Sequence, residues 1–214
     1  MNSIKKARKW LLAASIGTAL LFTGLHTGSA NAGQQAIMET TGLTSQPIGH
    51  YEYCQNNRAD CRIRARSKNP MPLTRERWSE MVEVNAYANA TVTPVTDMEY
   101  FGVPEIWTIP QAYGDCEDYA LLKRQMLMEK GWAASMLLVT VVRQPNGDGH
   151  AVLTVRTDRG DFILDNLNER ILPWNQTEYH YLKRQAVANS GKWEGIADNR
   201  DGRALVSAVG SVNR

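Results

Sequence analysis

The chain has 214 residues, with 24 Lys and Arg against 22 Asp and Glu, a net charge of +2 and three cysteines. Beyond its first 32 residues it holds no Lys/Arg tract and no zinc-ligand spacing, which argues against nucleic acid as a partner. Lys5, Lys6, Arg8 and Lys9 all fall in the first 32 residues; beyond them 20 basic residues face 22 acidic ones, a net of −2, so the basic balance belongs to the leader.

Residues 1–32 read as a secretory signal peptide. A basic start is followed by an apolar run from Trp10 to Leu25 and by Ala30-Asn31-Ala32, the small-x-small pattern that precedes cleavage. The competing reading is a membrane anchor, but Gly17, Thr18, Thr23 and Gly24 interrupt the run, which is short for a span of about 20 apolar residues. Export places the rest of the chain in a bacterial periplasm, or beyond the envelope. About 180 residues remain, enough for one domain with one core. Residues 33–50 mix Gly, Gln, Thr and Ser and are expected to form a little-ordered lead-in. The domain is expected over 51–190, followed by a polar tail at 191–214 that is Gly-punctuated except for Trp193.

Cys54 and Cys61 stand close together in a polar stretch. In an oxidising compartment they can close a short loop worth about 2 kcal/mol, or stay as two thiols. From Thr74 to Asn89, Trp78, Met81, Val82, Val84 and Tyr87 give a helical stripe. Pro94, Gly102, Pro104 and Pro110 then punctuate an ordered loop. A second helix is predicted from Asp115 as N-cap to Lys130, with Gly131 as its left-handed terminator and several sides buried. Strands follow at 135–143, 151–156 and 162–166, separated by turns at 145–149 and 157–160. A helix followed by an antiparallel meander indicates the α+β class. Tyr119, Trp132 and Trp174 are expected in the core, and His50 and His180 on the surface.

The third cysteine, Cys116, falls on the first turn of the predicted helix, where unpaired N–H groups and the helix dipole favour a thiolate. Its own backbone N–H could serve an oxyanion; the Trp107 indole and the Gln111 amide are candidates for a second donor. His150 opens one strand and Asp165 closes the next. A four-residue loop at 157–160 pairs Arg156 with Asp161 and puts His150 and Asp165 on one sheet face as diagonal neighbours, about 7 to 8 Å apart at the backbone. Cys116, His150 and Asp165 then form a candidate nucleophile, base and orienting carboxylate.

Gly114-Asp115-Cys116-Glu117-Asp118-Tyr119-Ala120 and the stretch from His150 to Asp165 resemble the nucleophile turn and the His-to-Asp hairpin of the bacterial transglutaminase-like cysteine proteinases. Trp78 to Asn85, Gly131-Trp132, Leu164 to Leu167 and Pro173-Trp174 are similar too, so the likeness spans about Arg75 to Arg184. The resemblance implies a papain-like, transglutaminase-like α+β core, with the nucleophile helix packed on an antiparallel sheet and catalysis through an acyl-enzyme. Periplasmic members of that family cleave large surface adhesins and so release cells from biofilms, under an inner-membrane regulatory receptor. Asp115 and Glu117 match positions that serve calcium there; capping and dipole compensation at a helix start explain them equally well. Besides proteolysis, acyl transfer to an amine and a non-catalytic binding module on a hydrolase scaffold remain open. No organic cofactor is implied.

Overall fold

The β-branched and leucine-rich runs in the middle of the chain form the centre of a seven-stranded antiparallel sheet in the computed structural model, which describes residues 37–200. The signal peptide read at 1–32 and the chain beyond 200 lie outside the described residues. In chain order the elements are β1 (Thr40–Thr44), α1 (Ile48–Asn56), α2 (Arg75–Thr91), β2 (Thr93–Pro94), α3 (Asp97–Tyr100), β3 (Tyr113–Gly114) and α4 (Cys116–Glu129). Then come β4 (Leu137–Arg143), β5 (Gly149–Thr157), β6 (Gly160–Leu164), β7 (Leu172–Pro173), β8 (His180–Ala186) and β9 (Asn189–Ile196). The sheet runs β1-β9-β8-β4-β5-β6-β7, and β2 pairs with β3 in a separate parallel bridge.

Helices α2 and α4 pack on one face of the sheet. Met81 and Val84 of α2 meet Ala120, Leu121 and Leu127 of α4 over Leu137, Val139, Leu153, Val155 and Leu164. A smaller cluster, Met38, Val142, Val152, Ile163, Trp174, Tyr181 and Ile196, is buried apart from it. Helix α4 ends as its sequence requires. Gly131 has φ +86°, and the amides of Gly131 and Trp132 return to the carbonyls of Met128 and Leu127, closing a Schellman turn. Tyr119, Trp132 and Trp174 are all buried.

Three expectations are corrected. The stretch 33–50 is not a loose lead-in throughout, since β1 adds to β9 at the sheet edge and Ile48 starts α1. The tail at 191–214 is likewise claimed by the sheet as far as Ile196, because Trp193 is buried against His50 and Trp107. On α2 the inward face is Met81, Val84, Asn85 and Ala88, while Val82 and Tyr87 are exposed. Asn85 can turn inward because its amide nitrogen donates to the Glu169 carbonyl at 3.1 Å, which offsets part of the cost of burying it; its Oδ1 has no partner among the described residues.

Cys54 and Cys61 are disulfide-bonded and anchor α1 to the body of the domain. Behind them Arg124 of α4 meets Asp60 at 2.6 Å. His50, expected at the surface, is fully buried beside this bridge, with Trp193 Nε1 donating to its Nδ1 at 3.1 Å. Burial, with a smaller contribution from Arg124, lowers its pKa to about 4. The fold therefore holds the neutral ring, so its stability is complete above the unfolded value of about 6.5 and is lost as pH falls from there toward about 4. The full loss is about 3 kcal/mol. Urea unfolding at about pH 5 should show about 2 kcal/mol of this loss relative to neutral pH, and a His50→Gln variant should lack that component.

Candidate active site

Residues 114–118 form the turn that presents the thiol. Gly114 is confined by Asp118: a Cβ at Gly114 would meet Asp118 Oδ2 at 2.7 Å, so only glycine lets β3 lie on that side chain. Asp115 occupies the N-cap position but makes no capping hydrogen bond through its side chain. Cys116 is the first residue of α4, half-buried, and its Sγ donates to Glu117 Oε2 at 3.1 Å. The Ala151 backbone N–H, at the start of β5, lies close enough to the thiol to favour its anion.

The β5–β6 hairpin supplies the other two groups. Its turn is tighter than the four-residue loop expected, because Thr157 already pairs with Gly160. The register is unchanged, since two residues fewer keep the same parity: Arg156 faces Asp161 and Leu153 faces Leu164. Asp165 is the first residue beyond the strand, and its Oδ1 lies 2.8 Å from His150 Nε2, with both side chains buried. This contact uses Nε2, which leaves Nδ1 as the nitrogen for exchange with a nucleophile.

Asp165 is held from several sides. Its Oδ1 also accepts from the Leu167 amide at 3.0 Å, its Oδ2 accepts from the Tyr179 hydroxyl, and its backbone carbonyl accepts from Asn89 of α2 at 2.9 Å. Burial acts to raise the carboxyl pKa, but the hydrogen bond and charge of His150, with Tyr179 and Leu167, outweigh it and hold it below the usual range. Tyr179 and Asn89 had no signal in the sequence, being ordinary polar positions until the fold brings them to Asp165.

Beside the thiol is a cluster of acids. The carboxylates of Asp97, Asp115 and Glu117 can each place an oxygen within 4.8 Å of the others. Asp97, buried at the start of α3 and nineteen residues before Cys116, was not singled out from the sequence. Thr96 caps α3 and so fixes Asp97 in place. Burial raises the pKa of Asp115 and of Glu117, and their mutual charge adds to it for Glu117. Asp118 is pushed up to about 7 by burial, against a 2.7 Å hydrogen bond from the Thr108 amide. Asp115 Oδ1 and Asp118 Oδ2 are buried without a hydrogen-bond partner among the described residues. Uncompensated buried carboxylates with unused lone pairs are the donor set of a hard cation, so the residues present fit calcium.

The expectation that the helix end lowers the Cys116 pKa is corrected. Burial, then the Glu117 charge and hydrogen bond, with Asp115 behind them, push the thiol up, and the Ala151 amide offsets only part of this. Trp107 is corrected as an oxyanion donor: its indole N–H donates to Glu105 Oε1 at 2.7 Å, and its ring is buried against His50 and Trp193. Gln111 is exposed on the loop before β3 and takes no part in the site's hydrogen bonding among the described residues. Two cavities of about 530 and 550 Å³ lie along residues 63–72 and 106–109 and do not include Cys116.

A thiol on the first turn of a helix, against the strand that carries a His–carboxylate pair, is the arrangement of the papain-like cysteine peptidases, and the α+β core agrees. The chain belongs to the bacterial transglutaminase-like cysteine proteinases, whose family model matches residues 40–201. Among solved structures it is similar to calcium-bound LapG of Legionella pneumophila, at 23% identity and a TM-score of 0.45, covering 50% of this chain and 64% of that one. A second LapG structure from that organism gives 24%, 0.44, 50% and 62%, and an EGTA-treated one 19%, 0.42, 57% and 68%. The chain thus spans under two thirds of the length of the first two. No curated protein matches it.

Tyr179→Phe removes one donor from a buried carboxylate while keeping the ring. It should destabilise by about 1 to 3 kcal/mol in urea unfolding; Asn89→Ala should act in the same direction through the Asp165 carbonyl.

Proposed function

We propose that this chain is an exported endopeptidase in which Cys116, His150 and Asp165 cleave an extended segment of a periplasmic or surface protein. The observation that carries the reading is the buried 2.8 Å His150–Asp165 contact at the start of β5, the strand on which the helix that begins at Cys116 packs. In this mechanism His150 takes the thiol proton as the sulfur attacks the scissile carbonyl. A carbon–sulfur bond forms, and the oxyanion faces the backbone N–H of Cys116 at the helix mouth. His150 then returns the proton to the leaving amine as the carbon–nitrogen bond breaks. Water, deprotonated by the same ring, hydrolyses the thioester, releasing a carboxylate and restoring the thiol. Asp165 keeps Nε2 protonated and the ring in position throughout.

Asp97, Asp115 and Glu117 would hold calcium, whose positive charge at that place would oppose the acidic field that disfavours the thiolate. The signal-like leader supports the periplasm as the compartment, and the family resemblance supports a large surface adhesin as substrate and an inner-membrane receptor as regulator.

Cys116→Ala should abolish cleavage, and iodoacetamide should label Cys116 in the native protein faster than in the denatured chain. Absence of selective labelling would instead favour a binding module. With peptides plus a primary amine, fragments are expected; incorporation of the amine would point to acyl transfer. A chelator should lower the melting temperature and the labelling rate together, and Asp97→Asn should weaken the response to calcium. An unchanged melting temperature and rate would remove the metal from the reading.

A further inference from the structure

Next to the acidic cluster the surface turns apolar. Tyr100, Phe101 and Tyr113 are 53, 43 and 47% exposed, large values for rings that touch one another. Tyr100 lies 4.6 Å from Phe101 edge-on and 5.5 Å from Tyr113 at a 37° tilt. Met98 and Val103, also exposed, continue the same segment. A single exposed apolar side chain needs no explanation, but a contiguous patch of rings marks a surface that something covers.

Its position is tied to the nucleophile by two routes. Tyr100 closes α3, the helix that Asp97 opens, and the Asp97 carboxylate reaches within 4.8 Å of Glu117, itself 3.1 Å from the Cys116 sulfur. Tyr113 stands three residues before Cys116, so their α-carbons are at most about 11 Å apart. An extended peptide advances about 3.3 Å per residue. A substrate with its scissile carbonyl at the sulfur and its chain laid toward Tyr113 would carry a side chain past these rings within about three residues of the cut.

We propose that Tyr100, Phe101 and Tyr113 form a subsite for a large apolar side chain of the substrate polypeptide, within about three residues of the scissile bond. The proposal rests on Cys116 being the nucleophile. The rings offer flat, stiff apolar area that costs little ordering on binding. The acids of the neighbouring cluster are turned toward one another instead.

Peptidyl chloromethyl ketones test this without a known substrate. On an alanine background, one position at a time carries Phe, Leu, Ser, Asp or Lys, and the rate of Cys116 alkylation is followed by mass spectrometry with calcium present. At one position the Phe and Leu probes should react about tenfold faster than the Ser, Asp and Lys probes. In a Tyr100→Ser/Phe101→Ser double variant that ratio should fall below about twofold, with iodoacetamide labelling and melting temperature unchanged. Tyr100→Leu, which keeps apolar area, should retain most of the preference. A wild-type rate independent of the side chain, fastest reaction with the Lys probe, or a preference that survives in the double variant would overturn the subsite. So would a double variant that alters only the oligomeric state in sedimentation, which would assign the rings to a second copy. Failure of iodoacetamide itself to label Cys116 selectively would overturn the peptidase reading and the subsite together. Iodoacetamide labelling with a flat probe panel would remove the subsite alone.

Discussion

The pairing of β5 with β6 is the constraint on which the site depends. Side chains alternate between sheet faces, so a slip of one residue would send Asp165 to the face opposite His150 and leave each buried without the other. Arg156 opposite Asp161 and Leu153 opposite Leu164 hold the parity, and Asp161 is fixed further by Arg184 of β8 at 2.9 Å and by the Met38 amide at 3.0 Å. A buried carboxylate paired with arginine cannot slide without exposing an uncompensated charge, so the far end of the hairpin guards the register that the near end uses. Helix α2 completes the clamp, with Asn89 on the Asp165 carbonyl and Asn85 on that of Glu169.

A second constraint is electrostatic and opposes the first. In the proposed mechanism the hairpin supplies the base, while the turn that carries the thiol surrounds it with acids that raise its pKa. A helix dipole is worth a fraction of a kcal/mol to about 2 kcal/mol, too little to offset two nearby carboxylates and burial. The same carboxylates are themselves destabilised as anions. One bound cation would relieve both conditions, stabilising the acids it touches and removing their effect on the sulfur. Selection for a low thiol pKa alone would have removed Glu117; its presence in contact with the sulfur makes sense where reactivity is conditional.

What the sequence disclosed follows from how local each signal is. Helix α4 was legible because Asp115 and Gly131 mark its ends, and the hairpin because its turn and alternating pattern fix parity even when the loop proves two residues shorter. The strands that follow the hairpin were not. β8 carries Lys183, Arg184 and Gln185, polar on its face, and becomes a central strand only because Asp161 accepts Arg184 while Gln185 takes Val139 and Ser190 as partners. His50 read as a surface residue for the same reason: its burial depends on Trp193, more than a hundred residues away. Asp97 and Tyr179 belong to the site through tertiary contact, and no spacing from Cys116 or Asp165 announces them.

The short helix α3 joins these strands of argument. Four residues cannot stabilise a helix by themselves, and α3 persists because the Thr96–Glu99 capping box closes its start while Asp97 binds the Ile106 amide and faces the other acids. Its opposite end holds Tyr100 toward Tyr113. A cation held by Asp97, Asp115 and Glu117 would therefore tie together two segments nineteen residues apart, one bearing the nucleophile and the other the aromatic surface. Reactivity and recognition would then share one ordering event. Without the ion, the acids would lose the partner that joins them, and the link between the rings and the sulfur would loosen.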